Sequence, residues 1–502
     1  MYRCILGPMT TPRQGSLRSA ARFSSLGRGA TIVIRYVVLL HVVQILDPVA
    51  VGIFEAALIV GGVLDILVDL GLGQAVVQRK ELSRGFVSTM FWLQFGVSAA
   101  LWAALTFLSS PIATVLGSRD AAPLLQIIAW GFPLLALGAI QSRLLMRDLR
   151  FGGVALGEFA SSLGYGVVVF GFLKENPKPE ILAWAIVVSY GARTVVWWIA
   201  QREWRPSFIF RMKYVREVSS FSLNLLGSSV GTYLLQRLDH LLILTFAGEA
   251  ALGIYGLAKR LILRPARMLS PLVAGVLMPA LARIQGDFQG MRRLYARGLG
   301  STVIAVFPGL VGIALVVPWL MALNSKPEWA EVRWVVVALL PYALLFTVLS
   351  SVGSIFVSLK KTDLMLRVNL GSSAACLAVQ AVLVVVFRDR GGAEIGTILA
   401  AGSSVTMLLL APWALRTALN LIGMSLGDAL RPLVSTLLAT LGMAGAVLGA
   451  HALLGPGLGP KLALAADVII GAASYGALVW WLRPPALADL SAFVGMKIKS
   501  RW

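Results

Sequence analysis

Charge is scarce in this chain, and acid is scarcer than base. Of 502 residues, 13% are charged and 58% hydrophobic, with a mean hydropathy of +0.82, whereas soluble domains carry roughly 25% charged residues. This balance excludes a water-soluble globular protein and points to an integral membrane protein. Only two cysteines occur, Cys4 in a basic tail and Cys376 inside an apolar run, so neither a disulfide framework nor a C-x-x-C metal site can be built. His41, His240 and His451 are dispersed, which argues against catalytic metal chemistry. No catalytic residue, metal or cofactor is expected. Lys and Arg number 44 against 23 Asp and Glu, a net charge of +21. The basic residues are scattered between apolar runs rather than gathered on one surface, so nucleic acid is not the expected partner. Membrane orientation accounts for the excess better.

What the chain does have is long apolar runs. A helix needs about 20 predominantly apolar residues to cross the hydrocarbon core. Segments of that kind can be cut at about 28–46, 50–74, 87–110, 121–142, 152–173, 181–200, 217–246, 250–282, 298–323, 332–359, 364–387, 394–415, 432–453 and 461–482, fourteen in all. Breakers punctuate them, including DP at 47–48, ENPKP at 175–179, NSKPE at 324–328 and GPGLGP at 455–460. The connections are too short to hold an inserted soluble domain. The expected fold class is an all-α integral membrane protein of about fourteen transmembrane helices.

Lys and Arg decide the orientation, because positive charge is retained on the cytoplasmic side. With the N-terminus inside, the two tails and the even-numbered connections hold twenty-nine of them, and the opposite side holds eight. Both termini are therefore expected in the cytoplasm. Residues 1–28 carry five arginines and no acid. Such a stretch reads as a cytoplasmic tail holding the first helix, with an organellar transit peptide as the alternative. There is also a faint repeat: AVGIF at 50–54 recurs as ALGIY at 251–255, each after a very short outer turn. It favours two related halves, a common transporter construction, joined at the basic connection QREWRPSFIFRMKYVR, 201–216.

Three stretches carry a family resemblance. They are VDLGLGQAVVQRKELS with STMFWLQFG (68–96), RLLMRDLRF (143–151), and RLDHLLILTFAGEAALGIYGLAKRLILRP with VLMPALARIQGD (237–287). Together they resemble the polysaccharide transporter family, the O-antigen and colanic-acid type exporters of the multidrug/oligosaccharidyl-lipid/polysaccharide flippase superfamily, over roughly residues 25–420. The resemblance implies two pseudo-symmetric six-helix bundles around a central cavity open alternately to each side, with helices 13 and 14 as peripheral additions. On this reading 1–27 is a basic cytoplasmic tail, 28–200 and 217–415 are the bundles, 201–216 is the cytoplasmic linker, 432–482 holds the last two helices and 483–502 is a cytoplasmic tail. It also implies an activity: moving an undecaprenyl-pyrophosphate-linked oligosaccharide across the bacterial inner membrane for polysaccharide biosynthesis. A polysaccharide polymerase and a chain-length regulator stay open as partners beside this substrate and the membrane.

Seven cations fall inside the apolar runs: Arg35, Arg193, Arg237, Lys259, Arg260, Arg264 and Arg267. Each costs about 2.5 to 3.5 kcal/mol at a helix centre, so a cluster needs partners or a hydrated cavity. At about 100° per residue, Arg260, Arg264 and Arg267 form one stripe running from mid-membrane towards the cytoplasm, with Lys259 a quarter-turn away. Guanidinium suits a lipid pyrophosphate through its permanent charge and bidentate fork. Arg260, Arg264, Arg237, Lys259 and Arg267 are thus candidate pyrophosphate ligands, with snorkelling to the headgroups the bland alternative for Arg267 and Arg260. Pro265, within the stripe, could mark a bend or a packing site.

Asp65, Asp69, Asp239 and Arg35 are candidates for ion pairing or for coupling to a proton or cation. Asp65 and Asp69 share a face at i, i+4 spacing. Arg35 and Asp65 lie at matched depth, so they are expected to pair. GSSVG at 227–231 fits G-x-S-x-G, but a nucleophile elbow needs a strand-turn-helix setting. Inside an apolar helix it reads instead as a G-x-x-x-G packing surface, like GVALG at 153–157 and GAVLG at 445–449. Two other functions compete: a cation-coupled multidrug exporter of the same superfamily, which would favour an acidic cavity, and a membrane glycosyltransferase or polymerase, which would favour a substantial outer loop.

Overall fold

A computed structural model describes residues 14–79, 81–324, 326–454, 459–484 and 487, and no strand occurs among them. Residues 1–13 of the basic N-terminal tail, Ser325, most of the GPGLGP run and nearly all of the C-terminal tail lie outside the described residues. The helices are α1 (Gln14–Ile45), α2 (Pro48–Asp69), α3 (Leu72–Gln78), α4 (Arg84–Leu116), α5 (Ala121–Ala129), α6 (Gly131–Arg147), α7 (Phe151–Phe172), α8 (Glu180–Ala200), α9 (Met212–Arg283), α10 (Phe288–Ala322), α11 (Val332–Ser358), α12 (Thr362–Val386), α13 (Gly392–Asn420), α14 (Leu426–Leu430), α15 (Val434–Leu454) and α16 (Pro460–Leu482).

The breakers do what their chemistry dictates. Asp47 caps α2 by accepting from Ala50 N–H at 2.8 Å, with Pro48 in the first turn where no N–H is needed. Ser83 caps α4 in the same way through Phe86 N–H at 3.2 Å. The run expected as one span over 121–142 is one apolar membrane-spanning segment, Ala121–Arg147. The backbone stays helical at Trp130 between α5 and α6, with φ −59° and ψ −20°, and only the local bonding tightens there, where Pro133 has no N–H to offer the Ala129 carbonyl. The two spans expected at 217–246 and 250–282 follow without a loop as arms of α9, interrupted at Gly248. Its φ of 81° and ψ of −177° place it in a region open essentially to glycine alone.

Twelve helices among the described residues are long and apolar enough to cross a membrane, with Leu225–Leu269 counted as one segment; Gly29–Ile45 is a shorter apolar helix. The protein is thus an all-α, multi-pass membrane protein, and the expected count of fourteen is not reached by this criterion. In a bilayer the lipid is as apolar as the helices, so close packing rather than escape from water holds such helices together.

The chain forms two compact units, Met1–Gly253 and Ile254–Trp502. In the first, α7 packs on α8 and α1, α6 on α8, and α2 on α5. One core joins Phe86, Met90 and Phe91 of α4 to Leu144 of α6, Val76 of α3 and Trp204. The AVGIF and ALGIY copies meet in this unit. A Cβ on Gly52 would fall 1.8 Å from the Glu249 carbonyl oxygen, and one on Gly253 would fall 2.0 Å from that of Pro48. The contact is reciprocal: each glycine approaches the residue four places before the other.

In the second unit α11 packs on α13 and α10, around Tyr295, Leu299, Phe307, Ile355, Phe356 and Leu419. The last two long helices, α15 and α16, lie against each other and against α10. Trp319 Nε1–H donates to the buried Asp467 carboxylate at 2.8 Å, and Tyr475 O–H donates to the Ile304 carbonyl at 2.9 Å.

The three G-x-x-x-G candidates fare differently. Gly157 lies against Trp197, where a Cβ would come within 2.0 Å of Nε1, and Gly153 meets Leu145 and Ala200. Gly227, Gly231, Gly445 and Gly449 instead face open space, so 227–231 and 445–449 are not packing surfaces here. Gly227 and Gly231 lie on an exposed face of α9.

Candidate site: charged side chains on the membrane helices

The second arm of α9 is two-faced. Leu257, Ala258, Leu261, Ile262, Leu263 and Ala266 are buried. Lys259, Arg260 and Arg264 are half-buried and Arg267 is exposed. All four cations thus lie off the packed face, in keeping with the helical spacing. Aromatic rings flank the two ends: Lys259 Nζ is 5.5 Å from the centroid of Tyr255, and the Arg267 guanidinium is 5.8 Å from that of Phe346. Such contacts attract a cation through the ring quadrupole. The backbone runs helically through Pro265; the non-helical residue is Gly248.

Arg237, on the first arm, is embedded in polar contacts within its own unit. Its Nη1 lies 3.8 Å from Oε2 of the buried Glu55 and 3.1 Å from His240 Nε2, and the guanidinium sits 5.6 Å from the Tyr233 ring centroid. Because guanidinium only donates, His240 Nε2 accepts, and the ring proton sits on Nδ1 facing Asp239 Oδ1 at 2.8 Å. Asp239 also accepts the His240 backbone N–H at 2.9 Å. Asp239, His240, Arg237 and Glu55 therefore form one connected polar chain.

The expected Arg35–Asp65 pair is not made. Arg35 Nε–H donates to Ser162 on α7 at 3.0 Å, and Asp65 Oδ2 accepts from Tyr190 O–H on α8 at 2.6 Å. Matched depth fixes one coordinate of a helical residue and leaves its azimuth open, and the azimuths differ. Asp65 Oδ1 is buried with no hydrogen-bond partner. Asp69, one turn on, pairs with Arg143 of α6 at 3.1 Å. Arg193 stacks over Tyr190 at 4.3 Å, with its Nη1 3.9 Å from Glu158.

Sequence reasoning passes over Tyr190, Arg143, Ser162, His240 and the Ser118 hydroxyl, which donates to Glu249. Two of these have a local signal. Tyr190 with Arg193, and Arg237 with His240, stand at i, i+3 and share a helix face. The others come from distant helices and have none. Chemically, the arrangement offers two kinds of group: cations on the less-buried side of α9, suited to an anionic ligand, and carboxylates already engaged by Arg, Tyr or His.

With this geometry in view, comparison with known proteins gives the family. The chain belongs to the polysaccharide biosynthesis protein family, whose profile matches residues 42–333. It is 26% identical over 354 residues to the lipopolysaccharide biosynthesis protein WzxC of Escherichia coli (strain K12), covering 70% of this chain and 72% of that one. It is also 26% identical over 324 residues to the succinoglycan biosynthesis transport protein ExoT of Rhizobium meliloti (strain 1021), covering 63% and 64%. Among solved structures, the lipid II flippase MurJ in an inward closed conformation matches with a TM-score of 0.67 at 15% identity, covering 91% of this chain and 99% of that one. At that identity the likeness is one of fold.

Proposed function

We propose that this protein is a flippase, not an enzyme, moving undecaprenyl-pyrophosphate-linked oligosaccharide units from the cytoplasmic to the outer leaflet of a bacterial inner membrane by alternating access. Membership of a polysaccharide biosynthesis family and a transport protein among its relatives support that class. The observation that carries the reading is the row of Lys259, Arg260, Arg264 and Arg267 on the less-buried side of a membrane helix. A pyrophosphate carrying several sugars cannot cross about 30 Å of hydrocarbon unaided, because its charge and hydroxyls would lose their water. Cations along the path replace that water. Arg260 and Arg264 take the pyrophosphate through their planar forks, and Lys259 adds a point charge. Arg237, held by Glu55 and His240, tunes the potential nearby, and Arg267 anchors at the headgroups.

Among the coupling candidates, Arg35 and Asp69 act as structural partners of Ser162 and Arg143. Asp239 belongs to the Arg237 chain, and Asp65 keeps one carboxylate oxygen for a proton. The bundles at 28–200 and 217–415 serve as the two moving halves. Both termini are cytoplasmic, and a polymerase or chain-length regulator on the outer side would receive the product.

The test is export in cells. Replacing both Arg260 and Arg264 by Gln is expected to abolish outer-leaflet lipid-linked oligosaccharide while the protein remains in the membrane at near-normal abundance, because removing charge lowers the insertion cost. Arg→Lys at either position should leave a partial defect, and Arg267→Gln should be nearly silent. Normal export by the double Gln variant would sink the cationic-row mechanism.

A further inference from the structure

The connection between α8 and α9 is too apolar on its outside for a segment in water. Phe208 is 94% exposed and Phe210 51%, and Met212, which opens α9, is 54% exposed. The loop is also tied firmly to α4. Ser207 O is bonded by Trp92 Nε1–H at 2.9 Å, Ser207 N–H donates to Ser88 Oγ at 3.2 Å, and Arg211 N–H donates to Thr89 Oγ1 at 3.2 Å. Trp204 is buried against Phe91, whereas Phe208 stacks on Trp92 with ring centroids 5.1 Å apart and 21° between planes. One aromatic plugs the core and the next faces outward.

Its level along α4 locates it. Trp92 is eight residues beyond Arg84, where α4 starts, or about 12 Å along the axis at about 1.5 Å per residue. The 33 residues of α4 span about 50 Å against a core of about 30 Å, so the helix is long enough to protrude from it. A protrusion of about 10 Å at the Arg84 end sets Phe208 at the boundary between headgroups and acyl chains, and a smaller one sets it among the acyl chains. Non-helical backbone at that depth needs its polar groups satisfied from within the protein, and Ser88, Thr89 and Trp92 do this. Around the aromatic tip, Arg202, Arg205, Arg211, Lys213 and Arg216 are exposed. The one acid of the stretch, Glu203, pairs with Arg150 at 3.0 Å, and Glu217 just after it pairs with Arg79 at 3.1 Å.

We propose that residues 202–216 form an interfacial anchor: Phe208, Phe210 and Met212 seat in the cytoplasmic leaflet, and the surrounding cations gather anionic phospholipid headgroups. An apolar tip ringed by Arg and Lys is the pattern of a surface-seated segment. Charge complementarity selects anionic over zwitterionic lipid, at about 1 kcal/mol or roughly fivefold per cation near the surface. The proposal is independent of the transported substrate.

The test uses the full chain with Cys4→Ser and Cys376→Ala, a nitroxide attached at Phe208→Cys or Lys213→Cys, and nanodiscs of phosphatidylcholine with or without phosphatidylglycerol. The label at 208 should be relaxed by oxygen more than by a water-soluble nickel chelate, and the label at 213 the reverse. Equal access of the chelate to both positions would place the loop in water and overturn the anchor. Shielding of 208 from both reagents would mean that protein, not lipid, covers it, and would overturn the anchor as well. Separately, lipid retained by the purified protein should favour phosphatidylglycerol, and Lys213→Gln and Arg216→Gln should each lower that preference roughly fivefold. An unchanged preference in the double variant, folded by size-exclusion profile, would overturn the headgroup role.

Discussion

Asp69 and Arg143 show how residue partners escape a reading of sequence. Asp69 reads as an intramembrane acid sharing a face with Asp65, yet the two carboxylates serve different helices, α6 and α8. Helical spacing yields which residues share a face; it does not yield which neighbour that face meets. Arg35 departs from expectation for the same reason, finding Ser162 where depth alone suggests Asp65. The cationic row at 259–267 is legible because its logic is internal to one helix. The Asp69–Arg143 pair gives a direct test at this scale. Its side chains are 36% and 30% exposed, so the pair is worth only about 1 kcal/mol. Asp69→Ala and Arg143→Ala should each lower the melting temperature in detergent by a few degrees. The double variant should lose less than the two singles combined. Strict additivity would mean that the contact contributes nothing.

At the scale of elements, capping and breaking chemistry is read well from sequence, and glycine patterns are read unevenly. DP at 47–48 starts a helix as expected, whereas Pro133 inside an apolar run only tightens the turn at Trp130 and leaves one span. The G-x-x-x-G letters are ambiguous: 153–157 is packed and 227–231 is not, because a small-residue face becomes an interface only if another helix is placed upon it. The AVGIF and ALGIY pair is more informative than its five letters, since its glycines are the points where the two backbones touch. Gly52→Ala or Gly253→Ala must push a methyl into a backbone carbonyl, which cannot swing away like a side chain. Overpacking of this kind costs about 1 to 3 kcal/mol, so either variant should reduce folded yield and thermal stability. Gly227→Ala, facing open space, should be neutral or slightly stabilising on helix propensity. Equal behaviour of the three would contradict the close crossing.

At the scale of the whole molecule, composition alone settles the membrane class, and the ordered short motifs settle the family. The number of spans is less legible, because helix length is a loose measure where one glycine separates two arms and where α1 has only a short apolar part. Orientation rests on the twenty-nine to eight division of Lys and Arg, which makes a prediction of its own. Reporter fusions at Ser118, Asn176 and Ser325 should all report the outer side, and a cytoplasmic signal at any of them would break the topology. The central claim is translocation of a pyrophosphate-linked saccharide lipid, and purified protein in sealed vesicles tests it most directly. Vesicles would carry a fluorescent undecaprenyl-pyrophosphate oligosaccharide, with the fraction accessible to an added glycosidase followed over time. The account predicts that active protein raises the accessible fraction beyond that of the outer leaflet at zero time, and that Arg260→Gln with Arg264→Gln removes the rise. An accessible fraction no different from protein-free vesicles, for correctly folded protein under an imposed ion gradient of either sign, would contradict it.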